Sequence, residues 1–336
     1  MIKAILYEKK ENQQVVCHMC AHECRIMNGK SGLCHVRKNI DGDLVSLNSD
    51  RVIATNMDPI EKKPLYHFLP GSRSFSIAAM GCNFSCRFCQ NHSISMVQTE
   101  NDIHGDMVTP EQLLAIALRN QAQSISYTYT EPTVFFELMF ETAKLAHNAG
   151  IKNVLVSNGY MSRQALSLLR PYVHAANIDL KSFNDDFYIK YCSARLEPVL
   201  ETITAMKAMG IWMEVTTLLI PGLNDDRKEI LRLLSFLREL DANIPWHVSR
   251  FFPQHQLLTL PATSIDSIYE VLQLGVDQGL KFLYGGNIAD SYWDDTRCPQ
   301  CRETLIKRSG YQVENFGMEA GNCRFCRTEI PGIWEY

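Results

Sequence analysis

Twelve cysteines in 336 residues carry the chemistry most easily read from this chain, and they fall into groups. Cys82, Cys86 and Cys89 stand on one short stretch, Met-Gly-Cys-Asn-Phe-Ser-Cys-Arg-Phe-Cys-Gln-Asn, with the spacing Cys-x-x-x-Cys-x-x-Cys. Thiolates are soft ligands that suit iron–sulfur clusters, zinc and copper. Three on one tight loop can hold three corners of a four-iron cluster. No fourth cysteine stands close in sequence. One metal position therefore stays open, which separates a reactive metal site from a closed structural one. A structural zinc with three ligands, or buried thiols, is the alternative, but structural zinc is usually four-coordinate and built from paired knuckles.

Cys-x-x-Cys knuckles occur towards both ends of the chain, one at the N-terminal end and a pair at the C-terminal end. Cys17 and Cys20 form a Cys-x-x-Cys pair followed by Cys24 and Cys34, with His18, His22 and His35 as spare ligands. Such a set takes zinc or a second iron–sulfur cluster, and closed four-ligand zinc is its commoner use. Zinc is the expectation here. Cys298, Cys301, Cys323 and Cys326 make two further knuckles 21 residues apart, which reads as a closed zinc-ribbon-like site. Cys192 stands alone and reads as a small buried hydrophobe.

The elements that must position these groups alternate. Apolar, β-rich runs lie at 77–80, 125–129, 154–156, 176–180, 213–220, 247–252 and 282–284. Helical patterns separate them, beginning with the capping box Thr109-Pro-Glu-Gln112 and continuing over 134–148, 163–169, 196–209, 226–240 and 264–278. Strands alternating with helices mean βαβ units and a parallel sheet, hence an α/β fold. The organisation expected is an N-terminal cysteine-rich module, 1–74, an α/β barrel region, 75–288, and a C-terminal zinc-ribbon-like module, 289–336. No Gly-x-Gly-x-x-Gly follows the first strand, which disfavours a dinucleotide-binding domain. Polar groups at the C-terminal ends of such strands face the ligand. Glu131, Ser157, Asn158, Asp179 and Lys181 stand there, with His247 and Arg250 on the sixth run. The segment from Asp58 to His67 reads either as a site wall or as a solvated loop.

A net charge of −4 without a basic run argues against dedicated nucleic-acid binding. No stretch approaches the ~20 apolar residues that span a bilayer, and the first ten residues are too charged for a signal peptide. No membrane association and a cytoplasmic location are expected. In that compartment cysteines serve as metal or redox ligands rather than disulfides.

The cysteine loop, with Phe88 before its third cysteine, resembles the signature of radical S-adenosylmethionine (radical SAM) enzymes. Over nearly its full length the chain resembles the radical SAM proteins of the AmmeMemoRadiSam system, themselves similar to pyruvate formate-lyase activating enzymes. The resemblance rests on the cysteine loop and Asn91, on Tyr127-Thr-Tyr-Thr-Glu-Pro-Thr133, Ser157-Asn-Gly159 and Ile178-Asp-Leu-Lys181, and on the two terminal cysteine modules. It implies a partial (β/α)6 barrel of about six units, short of the eight of a full barrel. It also implies a 4Fe–4S cluster on Cys82, Cys86 and Cys89 whose open iron is chelated by SAM. Asn91, Thr130, Glu131, Ser157, Asn158, Asp179 and Lys181 match positions lining the SAM pocket, and Tyr129-Thr130 replaces the two glycines of the family's Gly-Gly-Glu motif. An external donor, ferredoxin or flavodoxin, is implied to reduce the cluster, so that SAM splits to a 5′-deoxyadenosyl radical that abstracts hydrogen from a substrate. Memo-like and AMME-type proteins are the implied partners. Two other functions compete: an activase that installs a glycyl radical on a partner enzyme, and a non-catalytic zinc-bearing interaction protein. Iron and sulfide content separates the last from the first two.

Overall fold

The seven apolar runs become seven parallel strands, added side by side in chain order. In the computed structural model, which describes residues 1–288 and 290–335, they are β2 (Arg73–Ala78), β3 (Ser124–Tyr127), β4 (Lys152–Ser157), β5 (Ala175–Asp179), β6 (Trp212–Leu219), β7 (Trp246–Arg250) and β8 (Leu283–Gly286). The expected module boundary at residue 289 and the last residue, 336, lie outside the described residues. One strand was not foreseen. β1 (Ala54–Pro59) pairs antiparallel with β2 and forms one edge of the sheet. Its Asn56, Asp58 and Pro59 are poor strand formers, and Pro belongs on edges.

Among the described residues, six helices of seven or more residues connect the parallel strands: α1 (Pro110–Arg119), α2 (Phe136–Asn148), α3 (Arg163–Leu169), α4 (Glu197–Ala208), α5 (Arg227–Asp241) and α6 (Ile265–Asp277). α1 starts as its sequence demands. The Thr109 hydroxyl accepts from the Gln112 amide at 3.3 Å, and Gln112 Oε1 accepts from the Thr109 amide at 2.9 Å. α5 buries Ile230, Leu233, Leu234 and Leu237, one face at helical spacing. Among the described residues no helix is long and apolar enough to cross a membrane.

Both terminal regions are small antiparallel sheets that dock on this scaffold. The N-terminal region is held by a buried ion pair, Arg37 Nη2 to Glu137 on α2 at 2.8 Å. Glu137 also accepts from the Ile5 amide and the Ser49 hydroxyl. Removing one partner of such a pair costs about 3–5 kcal/mol. The C-terminal region grips residues 66–69. Ile333 exchanges backbone hydrogen bonds with His67 and Leu69, each 2.7 Å. The buried Arg308 donates to the Tyr66 carbonyl at 2.8 Å and lies 4.0 Å above the Tyr66 ring.

Candidate functional site

The cysteine loop leaves β2 at a turn that only glycine permits. Gly81 has φ +108°, and a Cβ there would stand 2.8 Å from Val36 Cγ1. The loop is then pinned from below. The Ser85 and Arg87 amides donate to the carbonyls of Cys192 and Tyr191, at 3.0 and 2.9 Å. Those carbonyls belong to a π-helical turn, Tyr188–Cys192, ended by Ser193 in the left-handed region. Such turns recur at functional sites. Cys192 is fully buried. The neighbouring Cys192 thiol, then burial, pushes the Cys86 thiol well above its usual range, and burial does the same for Cys82. Free thiolates are disfavoured here, whereas a coordinating metal removes the proton outright. The three thiols are not drawn within 4.8 Å of one another as around a single ion. A cluster that gives each cysteine its own iron fits that spread.

All three cysteines line one cavity of about 660 Å³ at the C-terminal ends of the parallel strands. Asn91, Thr130, Glu131, Ser157, Asn158, Asp179, Lys181 and His247 line it too, so the structure brings these candidates together. Arg250 is the exception. Its Nε donates to the Thr263 carbonyl at 2.6 Å, and it is not part of the cavity wall. Successive strand residues point to opposite faces: His247 and Ser249 face the cavity, and Arg250 faces away.

A web of buried polar contacts shapes the floor. Glu131 accepts from Thr133 Oγ1 at 2.5 Å, the Thr133 amide at 3.1 Å, Ser157 Oγ at 2.9 Å and the Asn158 amide at 2.9 Å. Burial pushes its carboxyl up, and these donors oppose that. Glu131 thus ties the β3 and β4 ends together. Thr130 Oγ1 donates to the Ala79 carbonyl at 2.7 Å. Asn158 Nδ2 donates to Asn83 Oδ1 at 2.7 Å, beside Cys82. Asn91 Nδ2 donates to the Tyr129 carbonyl at 2.7 Å.

Tyr129 has φ +64°, a conformation natural to glycine. The side chain that bears this strain is held in place. Its hydroxyl bonds Asp58, and Lys63 Nζ lies 4.5 Å from its ring centroid. Asp58 also receives Lys63 at 2.7 Å and Lys62 at 2.9 Å. Burial raises the Asp58 carboxyl, but the bonds from Lys63, Tyr129 and Lys62 prevail and hold it below the carboxylate range. Burial pushes Lys63 down to about 8 against the pull of Asp58. The segment left open between wall and loop is therefore a wall: Glu61, Lys62, Lys63 and Tyr66 all line the cavity. Opposite them, Lys181 pairs with Asp179 at 2.9 Å. Burial disfavours the Lys181 charge, and Asp179 more than restores it.

Glu214 on β6 was missed. It is fully buried and accepts from the Tyr66 and His67 amides at 2.9 and 2.7 Å, from Trp212 Nε1 at 3.2 Å and from His247 Nε2 at 2.6 Å. Burial raises its carboxyl, but the His247 bond and the other donors keep it below the usual range. An acid inside the apolar run Trp212–Leu219 was the available signal, since a buried acid must be paired.

The two four-cysteine sets differ. Cys298 and Cys326 thiols are 3.5 Å apart, Cys301 and Cys323 are 3.6 Å apart, and all four lie within 4.8 Å. This group could hold one metal ion. Cys17, Cys20, Cys24 and Cys34 line a separate small cavity, and no three of them converge in that way.

Residues 77–234 match the Radical SAM superfamily. An uncharacterized protein of Methanocaldococcus jannaschii is 41% identical over 333 residues, 98% of this chain and 99% of its own length. Residues 77–234 thus form a radical SAM domain. Another protein of that organism, named as a candidate glycyl-radical enzyme activating enzyme, is 24% identical over 209 residues, 61% of this chain and 78% of its own. Among solved structures, Streptococcus suis SuiB bound to S-adenosylmethionine shares the fold with a TM-score of 0.51 at 13% identity, over 68% of this chain; the match spans about half of SuiB, 53%. The radical SAM region holds the cysteine loop, Asn91, Glu131, Ser157, Asp179 and Lys181. The Asp58–Lys63 wall and His247 come from outside it.

Proposed function

We propose that this chain is a radical SAM enzyme that holds a 4Fe–4S cluster on Cys82, Cys86 and Cys89 and binds SAM and a substrate in the adjoining cavity. The observation that carries the reading is the shared cavity: three thiols with one metal position open, facing polar strand ends. Its volume, about 660 Å³, lies within the ~300–1,000 Å³ of small-molecule sites. When bound, the cluster and SAM supply the hard chemistry, one-electron cleavage to a 5′-deoxyadenosyl radical that takes hydrogen from substrate. The chain binds, orients and shields. Asn91, Thr130, Glu131, Ser157 and Asn158 shape the wall next to the cysteines, and Asp179 and Lys181 offer a charged pair further along it. His247, held by Glu214, and the Lys63–Asp58–Tyr129 group build the far wall. An external low-potential donor, ferredoxin or flavodoxin, supplies the electron.

We assign the enzyme to the AmmeMemoRadiSam type, with Memo-like and AMME-type partners, on the motifs quoted above. Zinc is proposed for Cys298, Cys301, Cys323 and Cys326, because about 2.3 Å zinc–sulfur bonds set thiolates ~3.8 Å apart. The similarity to a candidate glycyl-radical enzyme activating enzyme favours a second reading, an activase acting on a partner enzyme. Anaerobic reconstitution followed by dithionite and SAM tests the first. 5′-Deoxyadenosine should form, and Cys86→Ala should lose both the cluster absorbance and the product. A variant that still cleaves SAM would refute the ligand assignment. Electron paramagnetic resonance of a co-expressed glycyl-radical partner decides between the two readings.

A further inference from the structure

We propose that Cys17, Cys20, Cys24 and Cys34 hold a second iron–sulfur cluster of the four-iron class, ligated entirely by this chain, where sequence spacing alone favoured zinc. The chain contains its own comparison. The C-terminal thiols sit 3.5 and 3.6 Å apart and converge as ligands of one ion must. The N-terminal four surround a common cavity, yet no three of them lie within 4.8 Å of one another. A zinc tetrahedron with bonds of about 2.3 Å needs edges of ~3.8 Å. A cluster gives each thiolate a separate iron and so holds the four further apart.

The cavity also carries donors without acceptors. Arg37 is 2% exposed and Asn83 is 4% exposed, and both line it. Arg37 Nε and Nη1 and Asn83 Nδ2 have no hydrogen-bond partner. Buried N–H groups in folded proteins are paired almost without exception. An anionic occupant rich in sulfur acceptors would give these donors partners, and Arg37 would bring a positive charge to it.

Asn83 joins this site to the first. Its chain neighbour Cys82 lines the large cavity, Asn158 Nδ2 donates to its side chain, and its carbonyl is bonded by His22 Nε2 at 2.8 Å. With all four irons ligated, no position is open to substrate. The remaining role is to take one electron from an external one-electron donor and pass that electron across the Asn83 wall to the Cys82–Cys89 loop. That role rests on the function proposed above; the site itself does not.

The test uses the full chain, reconstituted anaerobically with iron and sulfide, with iron and zinc measured and Mössbauer spectra recorded. Wild type should hold about eight irons and one zinc. Cys82→Ser/Cys86→Ser/Cys89→Ser and, separately, Cys20→Ser/Cys24→Ser should each hold about four irons with zinc unchanged. In the first variant SAM should leave the spectrum unaltered, since no iron is open. Wild type with about four irons and two zincs, and no iron in the first variant, would overturn the proposal. About four irons in wild type that survive the first variant and vanish in the second would keep this site and refute the cysteine-loop reading instead. Should one variant fail to fold, as circular dichroism would reveal, the other decides.

Discussion

Tyr129 sets two effects of opposite sign against each other. Its φ of +64° is strained for any residue with a Cβ, by roughly 1–2 kcal/mol. Tyr129→Gly removes that strain and restores the residue type that radical SAM relatives of the Gly-Gly-Glu pattern carry. It also removes the hydroxyl bond to Asp58 and the ring 4.5 Å from Lys63. A hydrogen bond to a charged group contributes about 1.5–3 kcal/mol, and a cation–π contact to a desolvated lysine about 2. Lys63 is 1% exposed, so the larger value applies. Glycine adds about 0.5–1 kcal/mol of backbone entropy to the loss. The losses exceed the relief, and Tyr129→Gly should destabilise the protein by about 2–5 kcal/mol. Tyr129→Phe keeps the ring and the strain and should cost about 1.5–3. Urea unfolding of the anaerobic protein gives both values, and calorimetric titration with SAM gives the consequence for the site. The Tyr129 carbonyl is the partner of Asn91, so the glycine variant should bind SAM roughly tenfold more weakly, a 1.4 kcal/mol effect. A glycine variant at least as stable as wild type, with SAM affinity intact, would refute this account of the Asp58–Lys63–Tyr129 group.

His67 should make the fold acid-sensitive. Its Nδ1 faces the Pro331 carbonyl at 2.7 Å, so Nδ1 carries the hydrogen and Nε2 accepts from the Tyr284 hydroxyl at 2.6 Å. Burial pushes it down to about 4 from an ordinary 6.5. Between those values the unfolded chain binds the proton and the folded chain does not, so stability is complete above pH 6.5 and falls as pH drops towards 4, by about 3 kcal/mol. His67→Gln should flatten that part of the stability–pH curve, and an unchanged slope would exclude His67 as its source. Cys301→Ser should lose the C-terminal metal and lower stability, because metal binding there is folding free energy. It should also weaken SAM binding, since that region grips residues 66–69 behind the cavity wall, and unaltered thermal unfolding would contradict both claims. Cys192→Ala should keep the cluster and near-normal deoxyadenosine formation; loss of iron would make Cys192 a ligand rather than a neighbour of one.

Much of the site was legible because its parts are local. The Cys82–Cys89 spacing counts ligands within one loop, and in a parallel sheet the residues that end successive strands open on one space. Ser157, Asp179 and Lys181 needed only that rule. The limits are equally physical. Arg250 stands three residues from the cavity-facing His247 in sequence, so strand alternation turns it away, and its parity depends on a register that only the folded sheet sets. Glu214 and Tyr129 act through partners far along the chain, 148 residues away for the Glu214–Tyr66 contact and 71 for the Tyr129–Asp58 contact, and no local pattern encodes such a pairing. The terminal cysteines show the division most sharply. Each set offers four thiols and at least one Cys-x-x-Cys knuckle, and spacing along the chain counts ligands without measuring the distance between thiols. That distance is decided by how the surrounding strands pack, and it draws the C-terminal set together while it leaves the N-terminal set spread around a cavity.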